Sequence, residues 1–165
     1  MTTRLAAKCF GLLAVLAFFS ATAIGADMLA GTWKVNAAKS KYSPGPAFQH
    51  NTVKFESIEG GIKLVADGVD TEGKRIQNEY TAKFDGKDYP TKQLLNGKPN
   101  PKAADAVSWK KIDDYTYEQT NKFKGKTLIV ARHVISKDGK TRAVTTTGTT
   151  LQGQKVNNAM VFEKQ

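Results

Sequence analysis

The stretch that decides the fold is RIQNEYTAKF, residues 75–84, in which apolar and polar side chains alternate. The residues of one face are mainly apolar: Ile76, Asn78, Tyr80, Ala82 and Phe84. Successive side chains of a β-strand point to opposite faces of a sheet, so a period of two indicates a strand with one buried face. The stretch therefore predicts an antiparallel strand that lies against a core.

The same alternation recurs along the chain, and dipeptides ending in glycine separate the alternating runs. Glycine supplies the positive φ that tight hairpin turns require. A meander of this length tends to curl and close, because closure removes unpaired edges. The predicted fold class is all-β, an up-and-down antiparallel β-barrel of eight to ten strands. The predicted strands are 31–36, 51–58, 62–69, 75–84, 91–95 (with a loop as the alternative), 106–112, 115–123, 127–136, 141–150 and 155–163.

Residues 1–26 have the order of a secretory signal peptide: a positive start, an apolar run and then small residues. The apolar run is shorter than the roughly 20 residues that a membrane-spanning helix needs, and no second run follows, so we expect no stable membrane insertion. Cleavage is expected after Ala26, with Ala23 as the alternative. The mature domain is then residues 27–165, in the periplasm or outside the cell.

The composition of residues 27–165 narrows the class of protein further. The single cysteine, Cys9, lies in the predicted signal peptide, so the mature chain has no disulfide and no thiol ligand. The mature chain holds 23 basic and 15 acidic residues, a net charge of +8. The lysines are spread along the strands, which is typical of a solvated sheet face, and we expect no nucleic-acid partner.

Two short segments carry a resemblance to a known superfamily. Gly31-Thr32-Trp33 opens the first strand, and residues 160–164 end the last one. These segments resemble the lipocalins and fatty-acid-binding proteins, and the chain is similar to small exported bacterial proteins of lipocalin-like type. The resemblance implies a barrel that holds a small ligand and an Arg from a late strand paired with Trp33; Arg132 and Arg142 both fit. The Arg-x-Tyr that binds carboxylates in fatty-acid-binding proteins has no counterpart in residues 155–163.

Residue patterns for catalysis are missing from the sequence. The two histidines, His50 and His133, are far apart and show no metal-ligand spacing. No Gly-x-Ser-x-Gly turn and no phosphate-binding glycine-rich loop occur. We therefore predict no catalytic residue, no metal and no cofactor, and we do not expect an enzyme.

Polar residues on the apolar strand faces suggest a cavity. A dry core penalises an unpaired amide by roughly 1–3 kcal/mol, whereas a hydrated or ligand-filled cavity does not. The alternative is that the amides pair with each other or with bound water in a filled core. We also predict a portal in residues 42–48, at Tyr42 and Phe48, for which a plain connecting loop is the alternative. The predicted lining residues are Asn78, Tyr80, Trp109, Tyr117, Gln119 and Met160.

Strand 127–136 departs from alternation, because residues 128–131 are apolar in succession. Such a run indicates a strand that is covered on both faces. The cover is a loop, a short helix from residues 37–42, or a partner subunit, and the last alternative predicts a dimer through this strand.

Two functions of different classes follow from these features. The first is an exported carrier of a small, largely apolar molecule, such as a lipid or a hydrophobic metabolite. The alternative is a periplasmic interaction module or inhibitor, which has a filled core and acts through loops such as 96–105 or 42–48. A barrel enzyme ranks third, because it needs a titratable cluster that the sequence does not show.

Overall fold

A computed structural model describes residues 27–165, so the predicted signal peptide lies outside the described residues. The strands alternate in direction along one antiparallel sheet, as the period of two predicts. The sheet has twelve strands: β1 (Gly31–Val35), β2 (Phe48–Ile58), β3 (Gly61–Asp70), β4 (Arg75–Lys83), β5 (Tyr89–Pro90), β6 (Lys92–Leu95), β7 (Lys98–Pro99), β8 (Ala106–Lys111), β9 (Thr116–Phe123), β10 (Lys126–Ile135), β11 (Thr141–Thr149) and β12 (Lys155–Lys164).

The sheet curls into a half-barrel with the strand order β5-β8-β9-β10-β11-β12-β1-β2-β3-β4-β6-β7. The first and last strands are neighbours near its middle, where Trp33 lies opposite Lys164. At one end the two arms of the sheet meet. The backbones of Asp85 and Lys110 form an isolated antiparallel β-bridge there, and the Gly86 amide donates to the Trp109 carbonyl at 2.9 Å. The all-β prediction is confirmed. The sheet has twelve strands, so the predicted count of eight to ten is wrong.

The additional strands are β5 and β7, which are two residues long and form the two edges of the sheet. Each of them contains a proline, Pro90 in β5 and Pro99 in β7. Proline lacks the N–H group that a central strand must donate, but an edge strand tolerates it. Because a proline interrupts a central strand, the sequence indicated a loop around Pro99. The structure instead has a short edge strand there, in which Pro99 pairs with Leu94.

The glycine turns formed as predicted. Seven of these turns contain a glycine whose φ lies between 69° and 80°: Gly60, Gly73, Gly86, Gly97, Gly125, Gly139 and Gly153. In two of these turns the preceding residue also has a positive φ, 51° at Asn96 and 48° at Lys124. Two successive residues with positive φ are the requirement of a type I′ hairpin, whose twist matches that of the flanking strands.

The outer face of β10 differs from the prediction. A bulge between Thr127 and Ile129 interrupts the register with β9, which accounts for the apolar run at that point. Beyond the bulge the strand alternates normally, and Val134 on the outer face is 42% exposed. The short 3₁₀ helix at Ala37–Lys39 packs against β2 and β12 instead. Of the three covers that the sequence suggested, the short helix is therefore excluded, and the dimer through strand 127–136 stays a hypothesis.

A short N-terminal turn fills one end of the half-barrel, which we call the base. Leu29 is fully buried there, and its carbonyl accepts a hydrogen bond from Trp33 Nε1 at 2.8 Å. The Tyr117 hydroxyl donates to Asp27 Oδ1 at 2.5 Å. Both bonds connect the turn to buried aromatic residues of the sheet, so the base is closed by packed side chains.

Candidate functional site

A cavity of about 510 Å³ lies inside the half-barrel, between the base and the loops at the opposite end. Phe48, Ile76 and Thr150 line it near those loops, and Arg142, His133 and Phe55 line it near the base. Its walls come from inward residues of β2, β3, β4, β6, β9, β10, β11 and β12. Alternation along each strand therefore produces a common interior surface, as the pattern of residues 75–84 indicates.

Four of the six predicted lining residues lie on the cavity wall: Asn78, Tyr80, Gln119 and Met160. Trp109 and Tyr117 do not line it; both are fully buried in an aromatic cluster next to the cavity. The ring of Phe84 connects them, at 6.5 Å from Trp109 and 5.3 Å from Tyr117 between ring centroids. Both residues point inward, but they lie deeper along their strands than the residues of the cavity wall.

The amides on the wall are hydrogen-bonded within the protein. Asn78 Oδ1 accepts a bond from Thr91 Oγ1 at 2.9 Å, and Gln119 Nε2 donates to Asn121 Oδ1 at 2.8 Å. The Gln119–Asn121 bond is the pairing between amides that the sequence offered as the alternative, whereas Asn78 is paired with a threonine hydroxyl. The amides alone therefore do not require a ligand.

The predicted portal segment lies at the loop end of the cavity. Tyr42 and Phe48 pack edge to face with ring centroids 6.2 Å apart, and Phe48 lines the cavity. The segment is attached to β12 by two contacts. The Ser43 amide donates to Asn158 Oδ1 at 2.9 Å, and the backbones of Lys41 and Ala159 form an isolated β-bridge. These bonds hold the two rings at the rim.

Arg142 on β11 lies at the floor of the cavity and is only 2% exposed. Its guanidinium carbon lies 4.2 Å from the ring centroid of Phe162, 5.0 Å from that of Phe55 and 5.4 Å from that of Trp33. Arg132 is exposed on β10. Arg142 is therefore the arginine that lies against Trp33, and the choice left open by the sequence is settled. Such contacts with aromatic faces partly offset the loss of hydration of the cation.

His133 on β10 lies next to Arg142 and also lines the floor. Arg142 Nη1 lies 3.1 Å from His133 Nδ1, and the imidazole stacks on Trp109 with ring centroids 4.8 Å apart. Trp109 Nε1 in turn donates to the Tyr80 hydroxyl at 3.1 Å. Two hydrogen bonds and one ring contact thus link a chain of four side chains across the floor, from Arg142 to Tyr80.

Burial controls the ionisation of this chain. Desolvation lowers the pKa of Arg142 to about 9. Desolvation and the charge of Arg142 together hold the pKa of His133 well below its ordinary value, so this imidazole is neutral at pH 7. Desolvation also raises the pKa of the Tyr80 phenol, which stays protonated.

No acidic side chain of the described residues compensates the charge of Arg142. Among residues 27–165, none of the ion pairs includes Arg142. Its Nε and Nη2 atoms and His133 Nε2 are buried and have no hydrogen-bond partner within this part of the chain. The floor therefore combines an uncompensated positive charge with several free N–H groups.

Sequence reasoning did not identify this floor as part of the site. His133 was treated as an isolated histidine, and Arg142 only as one of two candidates to pair with Trp33. The alternation of β11 carried a signal for Arg142, because it places Arg142 on the same strand face as Val144 and Thr146. Both of these residues are buried, so an inward Arg142 was indicated.

Protein-family models, curated proteins and solved structures give no match to this chain. Within residues 27–165, no three His, Cys, Asp or Glu side chains come together as metal ligands. No helix of the described part has the length and apolar character needed to cross a membrane.

Proposed function

We propose that this protein is an exported carrier that binds a small, largely apolar molecule inside the half-barrel. The observation that carries the proposal is the interior cavity of about 510 Å³. Ligand cavities in proteins measure about 300–1,000 Å³ and are lined mainly by apolar groups with a few polar ones. Val53, Leu64, Ile129 and Val144 supply apolar wall, and Asn78 and Gln119 supply polar positions.

The proposal includes closure of the half-barrel around its ligand, as in a lipocalin-like barrel. The contact between Asp85 and Lys110 already joins the two arms at the base. The rim at Tyr42 and Phe48 is the proposed portal, because an apolar molecule that enters there meets aromatic faces first. The signal-like order of residues 1–26 supports action in the periplasm or outside the cell.

The alternative, an interaction module, is favoured by one group of exposed apolar side chains. Ile112, Tyr115 and Val134 are 51%, 37% and 42% exposed. All three lie at the same end of β9 and β10, because the Ile112 amide donates to the Thr116 carbonyl, the Ile135 amide donates to the Tyr115 carbonyl and Val134 lies opposite Thr116. A partner protein that covers this patch would remove its apolar surface from water.

The test uses the neutral fluorophore N-phenyl-1-naphthylamine, which emits strongly only in an apolar environment. We expect saturable binding to the mature protein, and loss of binding in Ala66→Phe, which fills part of the cavity. Ala143→Phe places the same side chain at an exposed position of β11 and is the matched control. We also expect native mass spectrometry of protein purified from its own cell envelope to show a co-purifying small molecule.

Two results together would overturn the carrier proposal. They are an absence of saturable fluorophore binding and a bare mass for the protein from the envelope. Capture of a stable protein partner that is lost in Val134→Asp would then support the interaction module.

A further inference from the structure

We infer that the molecule carried in the cavity bears an anionic oxygen group, such as a carboxylate or sulfonate, and that Arg142 and His133 bind this group at the cavity floor. The inference rests on the proposed function and specifies the chemistry of its ligand. It assigns a ligand-binding role to Arg142 in addition to its packing against Trp33.

The first argument is charge. A guanidinium in a protein interior is normally paired with a carboxylate, because an isolated buried charge loses its hydration without compensation. Arg142 is 2% exposed, and no described ion pair includes it. The three aromatic rings around it offset only part of this loss. An anion that enters from the cavity supplies the missing counter-charge.

The second argument is hydrogen-bond polarity. A guanidinium has no acceptor, so Arg142 Nη1 donates to His133 Nδ1 and the neutral imidazole carries its proton on Nε2. Arg142 Nε, Arg142 Nη2 and His133 Nε2 are then three donors without acceptors among residues 27–165. The Tyr80 hydroxyl accepts from Trp109 Nε1 and keeps its own proton to donate. An anionic oxygen group only accepts hydrogen bonds, so it complements this floor, whereas a cation or a further donor does not.

The third argument is access. The unpartnered nitrogen atoms of Arg142 and His133 are shielded from solvent, although both residues line the cavity. An anionic group therefore reaches them after a lining side chain moves. Met160 suits this movement, because it lies opposite Val144 and diagonal to Arg142 on the inner face. Its unbranched side chain changes conformation at low cost.

The test compares two probes that differ in one group. 8-Anilinonaphthalene-1-sulfonate carries a sulfonate, and N-phenyl-1-naphthylamine has the same two ring systems without it. We expect the wild-type protein to bind the sulfonate probe at least about tenfold more tightly, because charge-assisted hydrogen bonds form only with that probe. In Arg142→Met the affinity for the sulfonate probe should fall by about 10- to 100-fold, and the affinity for the neutral probe should stay within about twofold.

The controls separate charge, folding and the proposed function. Arg132→Met removes an exposed arginine and should leave the affinities for both probes unchanged. Near-ultraviolet circular dichroism checks that each variant is folded, because the sulfonate probe also stains partly unfolded states. If Arg142→Met does not fold, the probe ratio of the wild type and the variant Arg142→Lys decide, and the lysine variant should bind the sulfonate probe more weakly than wild type.

Equal affinity of the wild type for the two probes would overturn the inference and leave the carrier proposal standing. An unchanged sulfonate affinity in folded Arg142→Met would have the same meaning. Failure of the wild type to bind either probe would also overturn the inference and, together with a bare mass for the protein from the envelope, would overturn the carrier proposal itself.

Discussion

Lowering the pH from 7 to 5 should destabilise this protein through one residue, His133. The imidazole is 4% exposed, stacks on Trp109 and lies 3.1 Å from a guanidinium nitrogen of Arg142. Burial and that neighbouring charge both oppose protonation, and they hold the pKa of His133 well below the ordinary value. In the unfolded chain the same histidine takes up a proton near its ordinary pKa of about 6.5.

The sign follows from the difference in bound protons. Below pH 6.5 the unfolded state binds one more proton at this residue than the folded state, so the free energy of unfolding falls as the pH falls. At pH 5 an unfolded histidine with a pKa of about 6.5 is protonated about 30 to 1, which corresponds to about 2 kcal/mol. The loss begins near pH 7 and continues until the pH reaches the depressed pKa of the folded state.

Urea denaturation of the mature protein at pH 7, 6 and 5 measures this loss, with fluorescence of the buried Trp33 and Trp109 as the signal. Paired carboxylates such as Asp67, whose pKa is lowered mainly by its bond to Arg75, also lose stabilisation in acid. The decisive quantity is therefore the difference between wild type and His133→Gln. The glutamine variant should lose about 2 kcal/mol less than wild type between pH 7 and pH 5.

His50→Gln, at an exposed position of β2, is the control and should lose as much stability as wild type. Equal losses in wild type and His133→Gln would refute the reasoning.

Three further predictions concern stability and are checked by the same denaturation measurement at pH 7. Gly61→Ala should cost about 3 kcal/mol, because its Cβ would lie 2.2 Å from the Ala82 carbonyl oxygen. Gly45→Ala is the control and should change the stability by less than about 0.5 kcal/mol, since the nearest atom is 3.7 Å away; a comparable loss in both would contradict the packing argument. Leu29→Ala should cost about 2–5 kcal/mol by opening a void in the base, and an unchanged midpoint would show that the turn is not part of the core. Tyr80→Phe should cost about 1–3 kcal/mol, because it removes the acceptor of the Trp109 indole, and it should leave the slope of the urea transition unchanged.

The strands and turns were predictable because their signals are local. Residues 75–84 carry their own period, and the Asn96-Gly97 and Lys124-Gly125 turns carry their own backbone preference. A sheet edge has no such signal, since Pro90 and Pro99 are compatible with either a loop or an edge strand. The bulge in β10 was missed for a related reason, because an apolar run reads as a strand covered on both faces until the pairing with β9 is known.

The cavity wall was partly predictable, and the floor was not. Alternation placed Asn78, Tyr80 and Gln119 inward, but it carries no information about depth, so Trp109 and Tyr117 were assigned to the wall instead of the packed cluster. The contact between Arg142 and His133 depends on the register of β10 and β11, in which Ile135 lies opposite Arg142 and His133 lies opposite Val144. Register is a property of two strands together, and one strand does not reveal it.

The prolines at the ends of the sheet have a consequence for the protein at high concentration. A sheet that is not closed presents two rows of backbone groups on which another copy can nucleate a filament. Pro90 and Pro99 occupy those two rows, and each deletes one N–H group and fixes φ where an added chain would have to bond. The half-barrel can thus keep an open seam without acting as a template for polymerisation.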